Sequence, residues 1–566
     1  MTLGSAGLAA RATRRLAAPQ NGAYNNGMIK LLPRLALAAL ATSLCFGADT
    51  RFEISSPVSA MPGGITGRVY VMIAHITTPN APEREPRLDI GRLGVPFFGR
   101  DVEKLGAGQT AIVDASDLGS PVRSLSDIPP GEYWVQGFIN IYSEFKRSDG
   151  HVVWMHDDQW EGQRWNRSPG NVYSAPQKVT LDATKGYRIP IVCDKVIPPV
   201  QPIADTAFVK RFKIQSPILT KFWGRPIYLG AVVLLPRDYD KSNVSYPVLY
   251  EQGHFGLGAP MRFEGNDKSF SDEWTKDNFP RMIVVTMQHP NPYFDDSYAV
   301  NSVNVGPYGD AIMNELIPEI EKRFRIIRQP YARLLSGGST GGWESLALQI
   351  FHPDFFGGTW SYCPDSVDFS DVEGVDVYHD KNAYYKEFEW RRVPTINSRE
   401  INGQIRQTAE ERNRFELVNG THGRSGEQLD IWSAVFGPLG EDGYFDPLWD
   451  KKTGVMNARV AEYWKDHFDL RNQLEKNWST LGPKLEDKVH VYVGDADNFF
   501  LNNGTRKLEE WMKKTESPHY EGLFVYGAAK GHCYSGPVSS ADRLKEMAEH
   551  VLAKMPHDAV AGWWKQ

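Results

Sequence analysis

The stretch LLSGGSTGGWESLALQIFHPDFFGG, beginning at Leu334, sets four glycines around one serine beside an apolar, helix-like run. Glycine is a poor helix former and loses much conformational freedom when ordered. Such a density is compatible with a sharp turn that brings a strand backbone and a helix backbone too close for side chains. Gly337-Gly338-Ser339-Thr340-Gly341 fits G-x-S-x-G, in which a strained serine stands between strand and helix. That position aims N–H groups and the positive end of the helix dipole at a developing oxyanion. The alternative is a structural glycine turn with a helix-capping serine.

The flanking sequence supplies the context the pattern needs. YLGAVVLLP, YPVLYEQG and MIVVTMQHP are continuous apolar runs, as expected of strands covered on both faces. GDAIMNELIPEIEKRF has helical spacing, disturbed by Pro318. VHVYVGDAD and GLFVYG are further strands, followed by the helical GTRKLEEWMKK and SADRLKEMAEHVLAKM. Alternating strands and helices predict an α/β class with a mostly parallel sheet.

A serine hydroxyl needs a general base, and in this context the chain order is Ser, then Asp or Glu, then His. VHVYVGDADNFF ends a strand with Asp495 and Asp497, and FVYGAAKGHCYSG places His532 in a glycine-rich loop before the last helix. Asp497 is preferred as the acid because G-x-x-D carries it past the strand end. Asp495 is the reserve and Asp365 a third candidate. The oxyanion donors are expected from Thr340 and from the loop at His254 and Phe255; the His254 imidazole itself is open between a binding and a structural role. Tyr298, Asn301, Asn304 and Tyr308 follow the strand ending at His289 and are candidate substrate contacts. The same segment also reads as a turn network capping the next helix through Asp310.

At 566 residues the chain is longer than one ordinary domain. Residues 48–195 read as a β-sandwich accessory domain, from short β-branched and aromatic runs such as GRVYVMIAHI, GEYWVQGFINIY and KVTLD. The Pro-rich 196–207 is a linker, and 208–556 the catalytic domain. Within it, 367–485 breaks the alternation and reads as an insertion over one sheet edge, with NAYYKEFEWRR and NARVAEYWKDHF as helices. Trp134, Trp154, Trp160 and Trp165 are open between a sugar-binding face and a sandwich core, with the core favoured for Trp134.

The net charge of −6, from 63 Lys and Arg against 69 Asp and Glu, gives no footprint for nucleic acid. No paired-cysteine metal motif is present, and no metal or cofactor is expected. From Met28, MIKLLPRLALAALATSLCFGADT has a basic start, an apolar run of signal length and small residues before Ala48. Residues 1–47 therefore read as a leader and secretory signal with Met28 as the true start, and the mature protein as secreted or periplasmic. A buried N-terminal helix is the alternative. Past Cys45, Cys193, Cys363 and Cys533 remain, an odd number. Cys363 and Cys533 fall at the same sheet edge, open between a disulfide and two thiols.

The ordered motifs LLPRDYDKSNVSYPVLYEQGHFG, GDAIMNELIPEIEKRFRI, SGGSTGGWESLALQIFHPDFFGG, GDADNFF and GHCYSG resemble the "putative esterase" family of α/β-hydrolases. That group includes enterochelin esterases, S-formylglutathione hydrolases, mycolyl transferases, and feruloyl and acetylxylan esterases. The resemblance covers residues 208–365 and 486–555. It implies an α/β-hydrolase fold, with Ser339 as nucleophile, Asp497 as acid and His532 as base. Gly253-His254 reverses the family's His-Gly order at the oxyanion loop, and the insertion is longer than in minimal members. The expected function is an exported serine esterase acting on a carboxylic ester, such as a carbohydrate-linked or siderophore-like one, without stable membrane insertion. The alternatives are an inactive hydrolase-fold binding protein, or an acyltransferase or peptidase on the same scaffold.

Overall fold

Eight strands form the sheet that carries the site: β1 Val209–Gln215, β2 Tyr228–Leu234, β3 Val248–Gln252, β4 Ile283–Gln288, β5 Arg333–Gly338, β6 Gly358–Tyr362, β7 Val489–Gly494 and β8 Leu523–Gly527. Their order is β1-β2-β4-β3-β5-β6-β7-β8. β1 and β2 are antiparallel, as are β2 and β4, and every later pair is parallel. This mixed, mostly parallel order is the α/β-hydrolase arrangement. Burial explains the composition: every residue of β4 but Thr286 is buried, as a strand covered on both faces requires. The computed structural model describes residues 49–57, 63–78, 82–559 and 561–564. The leader expected through residue 47 lies outside them.

The helix before β5 shows how Pro318 is accommodated. Tyr308–Ala311 is α-helical, Ile312–Leu316 widens to a π-helical turn, and Ile317–Arg323 resumes the α form. Proline has no N–H to donate and its ring crowds the preceding turn, so the helix widens just before it. Ile312, Leu316 and Ile320 stay buried on the sheet.

Residues 49–197 are β-rich, as expected. Thr50–Ser55 pairs with Tyr187–Val192 and Thr110–Asp114 in one sheet, while Ile65–His75 and Gly131–Lys146 lie at the centre of another. Phe52, Ile54 and Val113 pack against Val69, Val71, Ile73, Val135 and Ile139, the inward-facing residues of alternating strands. The opposite face of Ile65–His75 is also buried. Tyr70, Met72 and Ala74 pack with Phe97, Trp165, Phe415 and Val418. Phe415 and Val418 belong to the helix Ala409–Asn419 of the insertion. Arg68 Nε donates to Val418 O at 3.0 Å and Tyr70 OH to Asn419 O, so the β-rich region caps that helix's last carbonyls. Trp165 stacks on Tyr70 with centroids 4.3 Å apart, and Trp160 meets Phe255 edge-on at 5.1 Å.

The insertion corrects one expectation. NAYYKEFEWRR is no helix: Tyr385–Phe388 and Arg391–Pro394 form an antiparallel hairpin, with Glu389 at φ 49° in its turn. Its aromatic residues suit a strand, and Trp390 is 87% exposed at the tip. NARVAEYWKDHF does form a helix, Ala458–His467.

Candidate active site

Ser339 leaves the carboxyl end of β5 with φ 58° and ψ −121°, a region non-glycine residues rarely occupy. Its N–H donates to Tyr362 O at 3.0 Å, and Asp365 N–H returns a bond to Ser339 O at 3.2 Å, fixing the turn against β6. The neighbouring glycines permit this approach. A Cβ at Gly341 would stand 2.2 Å from Gln252 O, and one at Gly342 2.5 Å from Tyr362 O. The helix Thr340–Phe351 begins at once, so its first N–H groups have no intrahelical acceptor.

The structure brings the three expected triad residues together. Ser339 Oγ lies 3.0 Å from His532 Nε2, and His532 Nδ1 lies 3.0 Å from Asp497 Oδ2. Asp497 is fully buried, and its other oxygen accepts Phe499 N–H at 2.8 Å and Leu501 N–H at 3.3 Å. Asp495 turns elsewhere, accepting Ala529 N–H at 2.7 Å. Asp365, the third candidate, also reaches the serine: Ser339 Oγ donates to its Oδ1 at 3.2 Å. Its Oδ2 accepts from Tyr298 OH at 2.6 Å, Thr340 Oγ1 at 3.1 Å and Gln428 Nε2 at 3.1 Å. Burial raises the Asp365 pKa against the pull of these donors and of His532.

Burial lowers the His532 pKa, but hydrogen bonds with Asp497 and Cys533 outweigh it and push it up to about 10. The Cys533 thiol moves the other way, to about 5, through hydrogen bonds with Cys363 and His532 against desolvation. Cys363 and Cys533 are free thiols, the first buried and the second exposed. Their sulfurs and a His532 ring nitrogen all lie within 4.8 Å of one another. The two shifts favour a proton on His532 and the thiolate form of Cys533, side by side at the edge of the site.

The remaining expected residues divide. Tyr298 is buried in the Asp365 cluster, where Trp432 Nε1 also donates to its hydroxyl. The structure does not bring Asn301, Asn304 or Tyr308 to Ser339. Asn301 Oδ1 accepts Asp310 N–H at 2.9 Å, the capping network foreseen for this segment. Asn304 Nδ2 donates to Ala434 O and Gly437 O at 2.9 and 2.8 Å, holding the end of the insertion helix Gln428–Phe436. Tyr308 OH donates to Pro290 O at 2.7 Å. The His254 ring is held by Asp295 and Asp296, at 3.0 and 3.1 Å from its Nδ1. Phe255 packs on Trp160, so the His254–Phe255 loop is braced by the β-rich region. Gln428 was not foreseen; it sits in the insertion, where no local pattern marks it.

A cleft of about 340 Å³ is lined by Gln428, whose amide bonds Asp365 in this centre. Its walls come from the β-rich region (Arg92, Arg164, Trp165), from the insertion (Arg412, Glu427, Gln428) and from the loops at His254 and Asp295.

The model of the family described as "Putative esterase" matches residues 228–523, just over half of the chain. An uncharacterized protein of Bacillus subtilis, YbbA, is 23% identical over 133 residues, 22% of this chain and 51% of that protein. The chain thus spans about half the length of that curated relative. Among solved structures, a ferulic acid esterase aligns over 61% of this chain and 96% of its own at 16% identity, with a TM-score of 0.36. An S-formylglutathione hydrolase from Agrobacterium tumefaciens aligns over 61% and 98% at 14% identity, with a TM-score of 0.34. On the family match, which spans β2 to the start of β8 and includes the serine turn, the chain belongs to the "Putative esterase" family of carboxylic ester hydrolases.

Proposed function

We propose that the protein hydrolyses a carboxylic ester through an acyl-enzyme, with Ser339 as nucleophile, His532 as base and Asp497 as the acid that orients it. The observation that carries this reading is the unbroken row Asp497 Oδ2, His532 Nδ1, His532 Nε2, Ser339 Oγ, with 3.0 Å at each of its two hydrogen bonds. Neutral His532 takes the Ser339 proton as Oγ attacks the acyl carbon. Asp497 holds the imidazole in the tautomer that presents Nε2 and stabilises the imidazolium. The backbone N–H of Thr340, with those of the His254–Phe255 loop, receives the oxyanion; losing one such donor costs about 3 kcal/mol. His532 then protonates the leaving alcohol, and water repeats the cycle on the acyl-enzyme. No step calls on a metal or cofactor. Export to the periplasm or medium is part of the proposal and rests on the leader motif after Met28.

The test is labelling with a fluorophosphonate probe and turnover of aryl esters by the mature protein and by Ser339→Ala. Labelling and turnover that both vanish in Ser339→Ala support the assignment. A folded wild-type protein that neither labels nor turns over would overturn it.

A further inference from the structure

The cleft that Gln428 and His254 line has two arginines in its walls that no acid of the protein neutralises. Arg92 and Arg164 both line it, and among the described residues neither guanidinium has a hydrogen bond or an ion pair. The other charges in the walls are matched. Asp295 is bound to His254, and Glu427 faces Arg412 Nη2 at 3.5 Å. Burial pushes Glu427 up to about 7, which weakens its negative charge further. Glu373, near His532, is raised well above the usual carboxylate range by burial and accepts a hydrogen bond from Asn397. Against desolvation, Asp295 and Asp296 hold the His254 pKa well above its usual value. Its Nδ1 is spent on the aspartates and the side chain is 45% exposed, so Nε2 stays open to the cleft, but its charge is already matched.

The position of Arg92 relates this charge to the chemistry. Its guanidinium lies over the Phe499 ring, 5.4 Å from the centroid, and Phe499 meets the His532 ring edge-on at 4.9 Å. Arg92 therefore stands one aromatic ring beyond the general base. Arginine offers a planar fork that matches the oxygens of a carboxylate or phosphate. Arg92 is half-buried and Arg164 exposed, and neither faces an acid of the protein, so both forks are free to take such a group.

We propose that the cleft receives the acidic end of an anionic ester, held by Arg92 and Arg164 while its acyl carbon lies at Ser339. The inference rests on the esterase reading above and names its substrate class: an ester carrying a carboxylate or phosphate a short chain away from the reacting carbonyl. It also gives the β-rich region a role, because both arginines come from it.

Binding to the Ser339→Ala protein tests the inference without turnover. Calorimetric titrations would use succinate, glutarate, adipate and n-butyl phosphate, with glutaramide as the neutral counterpart. The expected result is binding of at least one anion and not of glutaramide. Arg92→Gln should weaken the anion about tenfold, the scale of a charge-assisted hydrogen bond, with partial recovery in Arg92→Lys. Carboxylate-only or phosphate-only binding would support the inference and identify the acid. Glutaramide binding as tightly as glutarate, anion affinity unchanged in both Arg92→Gln and Arg164→Gln, or no binding across the series would overturn it. In proteins that retain Ser339, the ratio of kcat/KM for mono-4-nitrophenyl glutarate to that for 4-nitrophenyl butyrate should fall about tenfold in Arg92→Gln. Fluorophosphonate labelling separates the two readings: a protein that labels but prefers neutral ligands loses only the anionic substrate, whereas one that does not label loses the serine mechanism.

Discussion

Asp365 Oδ1 accepts a hydrogen bond from Ser339 Oγ at 3.2 Å, while His532 Nε2 lies 3.0 Å from the same Oγ. Two carboxylates thus flank the reacting pair, and their partners assign them different work. Asp497 bonds the imidazole nitrogen that must carry a proton, whereas Asp365 bonds only the serine hydroxyl and the buried Tyr298, Thr340 and Gln428 donors. Asp497→Asn should lower kcat by about 10⁴, because the imidazole tautomer is lost. Asp365→Asn should lower it only about tenfold, since it removes a charge near the imidazolium and loosens the serine rotamer. Steady-state kinetics of the two variants decide the matter, and equal losses would sink this division of roles.

The neighbouring His532 and Cys533 set the pH response. His532 must be neutral to act as a base, and its pKa is pushed up to about 10. Activity should therefore rise as pH increases toward that value and fall as the imidazole gains its proton below it. Cys533→Ser removes the thiolate that helps hold the proton, so the acid limb of kcat/KM should move to lower pH by about one unit or more. A limb that stays in place in Cys533→Ser would show that Cys533 does not hold the proton.

Much of the site was legible because its chemistry is local. The glycine spacing around Ser339 forces a close turn, and the chain order of Ser339, Asp497 and His532 follows the strand order of the sheet. Preference for Asp497 over Asp495 followed from how far past β7 each residue lies. What escaped depends on partners distant in sequence. Gln428 reaches Asp365 from the insertion, and Arg68 and Tyr70 cap a helix end some 350 residues away. Asn304 read as a substrate contact because it follows a strand end, yet the carbonyls that claim it are Ala434 and Gly437. The hairpin at Tyr385–Pro394 escaped because its mixture of charged and aromatic residues has no clean period.

Cys533 should be the first thiol to react. It lines a second cavity, of about 830 Å³, on the Gly338 side of the turn, which gives a reagent access. Its thiolate character favours alkylation at mildly acid pH, whereas burial pushes the Cys363 and Cys193 thiols up. At about pH 6.5, iodoacetamide should modify Cys533 ahead of the other two and inactivate in step, because the new group stands beside His532. Peptide mass mapping against residual activity reads both. Cys363 or Cys193 reacting first would contradict the thiolate assignment.

The part of the insertion next to the site is held together by a buried charge cluster, and its removal should be felt in both stability and catalysis. Lys451 Nζ bonds Glu416 Oε2 at 2.9 Å and also Asp430, and both carboxylates are almost wholly buried. Arg412 Nε lies 3.1 Å from Glu416 Oε1, and the N–H groups of Leu429 and Asp430 bond the same carboxylate at 3.0 Å. Those two residues directly follow Gln428, so the cluster fixes the helix end that places its amide on Asp365. Lys451→Met strands two buried carboxylates with less positive charge, which costs about 3–5 kcal/mol. Denaturant unfolding should show that loss, and kcat should fall with it as Gln428 loosens. Adding Glu416→Gln and Asp430→Asn to Lys451→Met removes the stranded charges and should recover part of the stability. A Lys451→Met protein as stable and as active as the wild type would mean that the insertion is held by its apolar contacts alone.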